Sequence, residues 1–127
     1  MSNRQNLRPV FKLWFENDYG YVFGPGIYSI LKKIEETGTL KEAASSLGMS
    51  YRFAWGMIKE AETKLGQSLI NVHKGGSLGG GGAQLSENGK KLLNDFIILR
   101  EKISLFLDEN RKVVVLGEID SIKINDD

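Results

Sequence analysis

The chain has 127 residues, of which 41% are hydrophobic and 26% charged, and its formal net charge is +1. These values are ordinary for one globular domain, and the absence of cysteine excludes disulfides and thiolate metal sites. The chain begins without the apolar stretch of a signal peptide and has no apolar run of membrane-spanning length. We therefore expect a cytoplasmic protein without a membrane partner.

The first part of the chain predicts a short hairpin followed by a helix. Residues 10–16 alternate between apolar and polar side chains, which is typical of a strand, and residues 17–20 are rich in turn formers. The Gly-Pro-Gly segment at 24–26 opens a helix, and Gly38 is expected to end it.

The next two predicted helices have the spacing of a helix-turn-helix. Thr39 is expected to cap the first helix, with Glu42 three residues later completing a capping box. Gly48 forms the tight turn, and Ser50 begins a longer helix over about 50–65.

That longer helix is predicted to have an apolar side and an outward side. The apolar stripe consists of Ala54, Ile58, Ala61 and Leu65. The positions expected to point away from this stripe are Tyr51, Arg52, Trp55, Lys59 and Glu62. In a helix-turn-helix such side chains face the DNA major groove, where Arg52 can reach a guanine edge and Lys59 a phosphate. For Trp55, a place in the core is an equal alternative.

A glycine-rich tract, residues 74–83, lies between two strand-like segments at 69–74 and 83–85. In the first segment, Leu69 and Val72 are expected to pack inward. This is where a winged helix-turn-helix has its wing. A glycine-rich tip can lie against DNA and donate backbone N–H groups to phosphates. The candidate contacts are Lys74, Gly75, Gly76 and Ser77, and the alternative is a flexible loop without contacts. The tract lacks the spacing of a nucleotide-binding phosphate loop.

Ser86 is expected to cap a long helix over 87–110. Apolar residues recur there at intervals of four and three, a coiled-coil pattern that predicts a dimer interface formed by Leu92, Phe96, Leu99, Ile103 and Phe106. A second apolar stripe runs beside it, so one stripe can cover the domain's own core and the other a second copy. An intramolecular core is the alternative.

The predicted fold class is mainly α with small β (α+β), a winged helix-turn-helix with a long C-terminal dimerisation helix. The expected organisation is a DNA-binding domain over 1–86, the dimerisation helix over 87–110 and an acidic, β-prone tail over 111–127. With one histidine, no cysteine and no paired carboxylates at a catalytic spacing, we expect neither an enzyme nor a cofactor or metal site.

Three segments carry a resemblance to a known family: FGPG at 23–26, GTLKEAASSLGMSYRFAWGMI at 38–58 and GGSLGGGGAQLSENGKKLL at 75–93. They resemble the N-terminal DNA-binding domain of the ModE family, molybdate-responsive transcription regulators similar to the LysR type in this region. The resemblance implies a homodimer on a palindromic operator in double-stranded DNA. By motif position it also implies that Ser50, Tyr51, Arg52 and Trp55 lie on the recognition helix and that the wing is 75–82. Thr39 is a further candidate DNA contact.

The segment after the long helix departs from the family pattern. Only residues 111–127 follow that helix, and they lack the Ser-Ala-Arg-Asn segment of the family's oxyanion site. We therefore expect no molybdate-binding barrel from them and assign no ligand residues. Two other functions agree with the low net charge and the predicted fold: a protein-interaction module, and an architectural DNA-binding protein without an effector.

Overall fold

The structure is a computed structural model that describes residues 7–73 and 81–113. The predictions for Lys74, Gly75, Gly76, Ser77 and the tail beyond residue 113 lie outside the described residues. The described elements, in chain order, are β1 (Phe15–Asn17), β2 (Gly20–Phe23), α1 (Pro25–Thr37), α2 (Leu40–Ser46), α3 (Tyr51–Leu65), β3 (Ile70–His73), β4 (Gly82–Leu85), α4 (Glu87–Glu109) and a 3-10 turn at Arg111–Val113. Helices with two small antiparallel sheets agree with the predicted α+β class.

The chain divides into two compact units. The larger unit is Lys12–Ile98, and the smaller combines Met1–Phe11 with Leu99–Asp127. Helix α4 contributes its first part to the larger unit and its last part to the smaller. In the described part of the smaller unit, the 8–11 segment and α4 line a shallow depression. None of the described helices is both long enough and apolar enough to cross a membrane.

The predicted helix boundaries are confirmed, because the signals that set them act locally. Gly38 and Gly48 have φ angles of +80° and +69°, a left-handed conformation that glycine adopts without the steric cost of a Cβ atom. The Thr39, Ser50 and Ser86 hydroxyls each accept a hydrogen bond from a backbone N–H three residues later, at 3.0 Å. These bonds satisfy N–H groups that a helix start leaves without partners.

Only one of the two hydrogen bonds of the predicted capping box at α2 forms. The backbone N–H of Glu42 donates to the Thr39 hydroxyl, as expected. The backbone N–H of Thr39 donates instead to the Thr37 hydroxyl, at 3.4 Å. The hydroxyl of Thr37, at the end of α1, therefore accepts the hydrogen bond that the Glu42 carboxylate was predicted to accept.

The hairpin near the start of the chain is confirmed, but its first strand is shorter than predicted. Strand β1 covers Phe15–Asn17 rather than 10–16, because ladder pairing with β2 begins only at Phe15, which lies opposite Phe23. The alternation of exposure nevertheless extends further: Leu13 and Phe15 are half-buried, whereas Trp14 between them is exposed.

The hydrophobic core of the larger unit is centred on α1, which buries Ile27, Ile30, Leu31 and Ile34. Helix α4 contributes Phe96, which is 1% exposed and packs its ring against those of Phe15, Phe23 and Tyr28. Of the predicted dimer stripe, Phe96 is therefore buried in the core, and Leu92 is half-buried against it. In the smaller unit, Ile103 is half-buried, while Leu99 and Phe106 are exposed.

Strands β3 and β4 pair in antiparallel register from Ile70 opposite Leu85 to His73 opposite Gly82. Leu69, just before β3, is fully buried, as expected. The expectation that Val72 packs inward is wrong, since Val72 is 49% exposed. Alternation along β3 starts from buried Ile70, but this strand lies at the surface and its later residues face solvent on both sides.

Candidate nucleic-acid interface

Helix α3 presents its first turn to solvent. The cap by Ser50 sets the start of the helix, so Tyr51 and Arg52 lie at its N-terminal end. Tyr51 is 50% exposed, and Arg52 is exposed as well. Arg52 makes no hydrogen bond or ion pair with any of the residues that the structure describes. Its guanidinium group is therefore available to an external acceptor, as predicted from the sequence.

An ordered row of side chains follows along one edge of α3. The rings of Tyr51 and Trp55 are stacked, with centroids 6.3 Å apart and planes inclined by 8°. The Lys59 ammonium nitrogen lies 4.4 Å from the centroid of the Trp55 ring, a cation–π contact. Trp55 is half-buried, so it has both a packing role and an accessible edge. Trp55 therefore contacts Tyr51 one turn before it and Lys59 one turn after it.

Glu62 was predicted to point away from the core, and this is wrong. Its side chain is 9% exposed and turns toward the start of β3. One carboxylate oxygen accepts backbone N–H bonds from Leu69 and Ile70, at 2.7 and 3.2 Å. The other accepts from the Lys59 ammonium group at 2.9 Å. Buried carboxylates require such partners, because an unpaired charge away from water is costly.

The environment of Glu62 favours its charged form. Burial raises the pKa of this carboxyl, but the Lys59 ammonium group and two backbone amides together outweigh burial. The pKa of Glu62 therefore lies below its ordinary value of 4.5. Lys59, a predicted phosphate contact, thus also has an intramolecular role as a partner of this carboxylate.

A backbone hydrogen bond attaches strand β4 of the hairpin to the turn that precedes α2. The backbone N–H of Ala83 donates to the carbonyl oxygen of Gly38, which ends α1, at 2.8 Å. Between the hairpin and the N-terminal ends of α2 and α3 lies an open cleft, lined by Thr39, Leu40, Lys41, Glu42, Tyr51, Val72, Gly81, Gly82 and Ala83. The cleft brings two predicted site residues, Thr39 and Tyr51, to one surface with Gly82 of the predicted wing.

Sequence reasoning missed several exposed residues. Lys41 and Val72 line the cleft, and both are exposed. Outside the cleft, Phe53 on α3 is 61% exposed and lines a separate depression together with exposed Gly56. A helical projection of α3 would have identified Phe53 and Gly56 as exposed, since both lie away from the apolar stripe that begins at Ala54.

The described residues offer no site for a metal ion. Within 7–73 and 81–113, no group of three or more histidine, cysteine, aspartate or glutamate side chains is placed to hold one. The His73 ring instead lies within hydrogen-bond distance of the Gln84 amide across the hairpin, at 2.8 Å. His73 thus has a partner on the neighbouring strand.

A helix-turn-helix whose second helix lies beside an antiparallel hairpin defines the winged helix-turn-helix class. No family model matches the chain. The chain is 35% identical to the transcriptional regulator ModE of Yersinia pestis over 75 residues, which are 59% of this chain and 28% of that protein. It is 30% identical to the DNA-binding transcriptional dual regulator ModE of Escherichia coli (strain K12) over 101 residues, 80% of this chain and 36% of that protein.

A third relative is the molybdenum transport protein ModE of Herbaspirillum seropedicae, 36% identical over 66 residues, 52% of this chain and 24% of that protein. Over the part that these matches cover, the chain is similar to ModE transcriptional regulators. The matched part spans only about a third or less of the length of these relatives.

Proposed function

We propose that this chain is a DNA-binding transcription regulator that acts as a homodimer on a palindromic operator. Helix α3 enters the major groove, and the β3–β4 hairpin with its 74–83 wing lies against the adjacent backbone. One observation carries the proposal: Arg52 is exposed at the N-terminal end of α3, has no hydrogen-bond or ion-pair partner among the described residues, and is next in the chain to Tyr51, which lines the cleft. The printed names of the ModE relatives, which are transcriptional regulators, support the same class.

The side chains on this surface suit the groups that duplex DNA exposes. Arg52 can donate two hydrogen bonds to the O6 and N7 atoms of guanine, or bind a phosphate. Ser50 and the first amides of α3 lie where a phosphate can approach a helix start. Lys59 has ammonium protons beyond the one given to Glu62, so it can also contact a phosphate.

The wing and the cleft extend the proposed contact. Thr39, Lys41 and Tyr51 line the cleft from the helix side. On the wing, Lys74 and Ser77 supply side chains, while Gly75 and Gly76 allow backbone amides to approach phosphates closely.

Apolar residues in the last part of α4 support the proposed homodimer. Phe106 is 61% and Leu99 is 40% exposed, and they are seven residues apart, so they lie on one side of the helix. A two-fold dimer through this stripe presents two α3 helices. Half-sites would then be separated by about one helical turn of DNA, ~34 Å, or a multiple of it.

A salt titration tests whether phosphate contacts carry the binding. The full chain is titrated with a labelled duplex at 50 and 200 mM salt, and fluorescence anisotropy gives the affinity. A protein with six or more phosphate contacts loses about 10³-fold in affinity over this range. Absence of binding at 50 mM salt would contradict the proposal and favour the protein-interaction module.

Selection from random duplexes then separates a specific regulator from an architectural protein. We expect enrichment of a palindrome, bound at least about 10³-fold more tightly than unrelated DNA. Equal affinity for selected and unselected duplexes would instead support an architectural protein without sequence preference.

A further inference from the structure

The outward side of α3 carries a phenylalanine with no role inside the domain. Phe53 is 61% exposed, is not part of the hydrophobic core cluster, and makes no ring contact with any described aromatic residue. Its backbone N–H is used by the Ser50 cap, but its side chain takes no part in that bond. An exposed aromatic ring beside Arg52, which has no hydrogen-bond or ion-pair partner within 7–73 and 81–113, suits an external partner with an apolar group next to a hydrogen-bond acceptor.

Gly56, one turn after Phe53, is also unexplained by the packing of the domain. It lies inside a regular helix, where glycine is less favourable than alanine because it costs more backbone entropy. Its φ is not positive, and a Cβ built on it would meet no atom within 4 Å. Neither backbone conformation nor crowding among the described residues therefore requires a glycine. The remaining physical reason for a glycine at position 56 is close approach of another molecule to the helix backbone.

Phe53 and Gly56 line one shallow depression on α3. Arg52, Met57 and Glu60 complete its lining. The missing side chain of Gly56 leaves space beside the apolar side chains of Phe53 and Met57, and Arg52 is part of the same lining. A methyl-sized apolar group fits this arrangement, provided that an acceptor for the guanidinium group lies beside it.

We infer that Phe53 and Gly56 form the contact for the 5-methyl group of a thymine, on a base pair adjacent to the one bound by Arg52. This inference rests on the proposed function, since it requires α3 in the major groove. The thymine methyl projects into that groove, and apolar side chains such as phenylalanine are suited to contact it. Gly56 allows the helix backbone to come close enough for the contact.

The experiment replaces thymine by uracil, which differs only in lacking the methyl group. Duplexes selected by the full chain are resynthesised with one thymine replaced at a time, and their affinities are measured by anisotropy. We expect one thymine in each half-site at which uracil weakens binding about three- to tenfold. Tenfold corresponds to about 1.4 kcal/mol.

Two variants connect that thymine to α3. Phe53→Ala should weaken binding to the thymine duplex by a similar factor and abolish the difference between thymine and uracil. Gly56→Ala should weaken binding about tenfold while raising the unfolding temperature by a few degrees, because alanine favours the helix. Thr63→Ala, seven residues further on the same side of α3, is the matched control and should leave DNA affinity unchanged.

The outcomes separate this inference from the proposed function. If the chain binds no DNA, the proposed function fails and this inference fails with it. If the chain selects a DNA sequence but every uracil duplex binds as its thymine parent, the inference alone is overturned. The same holds if Phe53→Ala still distinguishes the two bases, or if Gly56→Ala binds DNA as well as the unaltered chain.

Discussion

The carboxylate of Glu62 on α3 accepts a 2.7 Å hydrogen bond from the backbone amide of Leu69, the residue that precedes β3. The same oxygen accepts from Ile70, the first residue of the strand. One buried side chain therefore ties the helix proposed to enter the major groove to the base of the proposed wing. Because both elements are held at this point, their relative orientation depends on Glu62.

Removing this carboxylate should destabilise the fold. Glu62→Ala leaves two backbone N–H groups without their acceptor, and we expect a loss of about 3 kcal/mol in the free energy of unfolding. Glu62→Gln retains one oxygen acceptor without the charge and should lose about 1–2 kcal/mol. Urea denaturation at pH 7 measures both. Glu60→Gln, on the exposed side of α3, is the control and should stay within about 0.5 kcal/mol of the parent; an equal loss there would argue against a special role for Glu62.

The same carboxyl makes stability depend on pH. Its pKa is lower in the folded chain than its ordinary value of 4.5, so the unfolded chain binds the proton more tightly. The stabilisation that Glu62 supplies is therefore complete above about pH 5 and is lost as the pH falls through the lowered pKa. Unfolding measured from pH 7 to pH 3 should show a smaller decline for Glu62→Gln than for the parent chain. Parallel pH profiles for the two proteins would contradict this assignment.

Gly89, in the first turn of α4, should tolerate no larger residue. It is buried, and a Cβ atom there would overlap the carbonyl oxygen of Leu69. Since the obstacle is backbone, Gly89→Ala should cost about 1–3 kcal/mol of stability through overpacking. Gly56→Ala makes the same chemical change at an exposed helical position and should stabilise by up to about 1 kcal/mol. Thermal denaturation of both variants tests whether close packing against Leu69 explains the difference.

Replacing Arg52 should impair DNA recognition without affecting folding. Arg52→Ala removes an exposed side chain that has no partner among the described residues, so stability should change by less than about 0.5 kcal/mol. Binding to a selected duplex should weaken by about 1–3 kcal/mol, and the preference at one base pair should relax. Lys32→Ala removes one positive charge from the exposed side of α1 and serves as the control. If both variants lose equal affinity at every sequence, Arg52 contributes charge alone.

The proposed dimer predicts that a charge in the exposed apolar stripe of α4 separates the protomers. Phe106→Asp or Leu99→Asp should shift the sedimentation of the chain from dimer to monomer, because burial of an unpaired carboxylate at an interface is unfavourable. Asn94→Asp adds the same charge to an exposed polar position on α4 and should leave the dimer intact. A chain that sediments as a monomer before any substitution would contradict the dimer itself.

The helix boundaries were predictable from sequence because each depends on atoms within three or four residues. Gly38 and Gly48 adopt their left-handed conformations in the turns, and the Ser50 hydroxyl reaches only to Phe53. The outward position of Arg52 followed from helical periodicity for the same reason. The extent of β1 was not predictable, since a strand continues only where a distant segment offers hydrogen-bond partners.

Tertiary structure alone decided which side chains of α3 and α4 are buried and which are exposed. Glu62 lies at the border of the apolar stripe of α3, where periodicity does not decide exposure, and it is buried because the amides of Leu69 and Ile70 require an acceptor there. The regular stripe on α4 gave no sign that Phe96 would join the aromatic core while Phe106 stayed exposed. The sequence by itself therefore determined the helices and the arginine at the start of α3, because those depend on neighbouring residues. The attachment of the hairpin to α3 and the division of the α4 stripe were decided only by the fold, because they depend on groups brought together from distant parts of the chain.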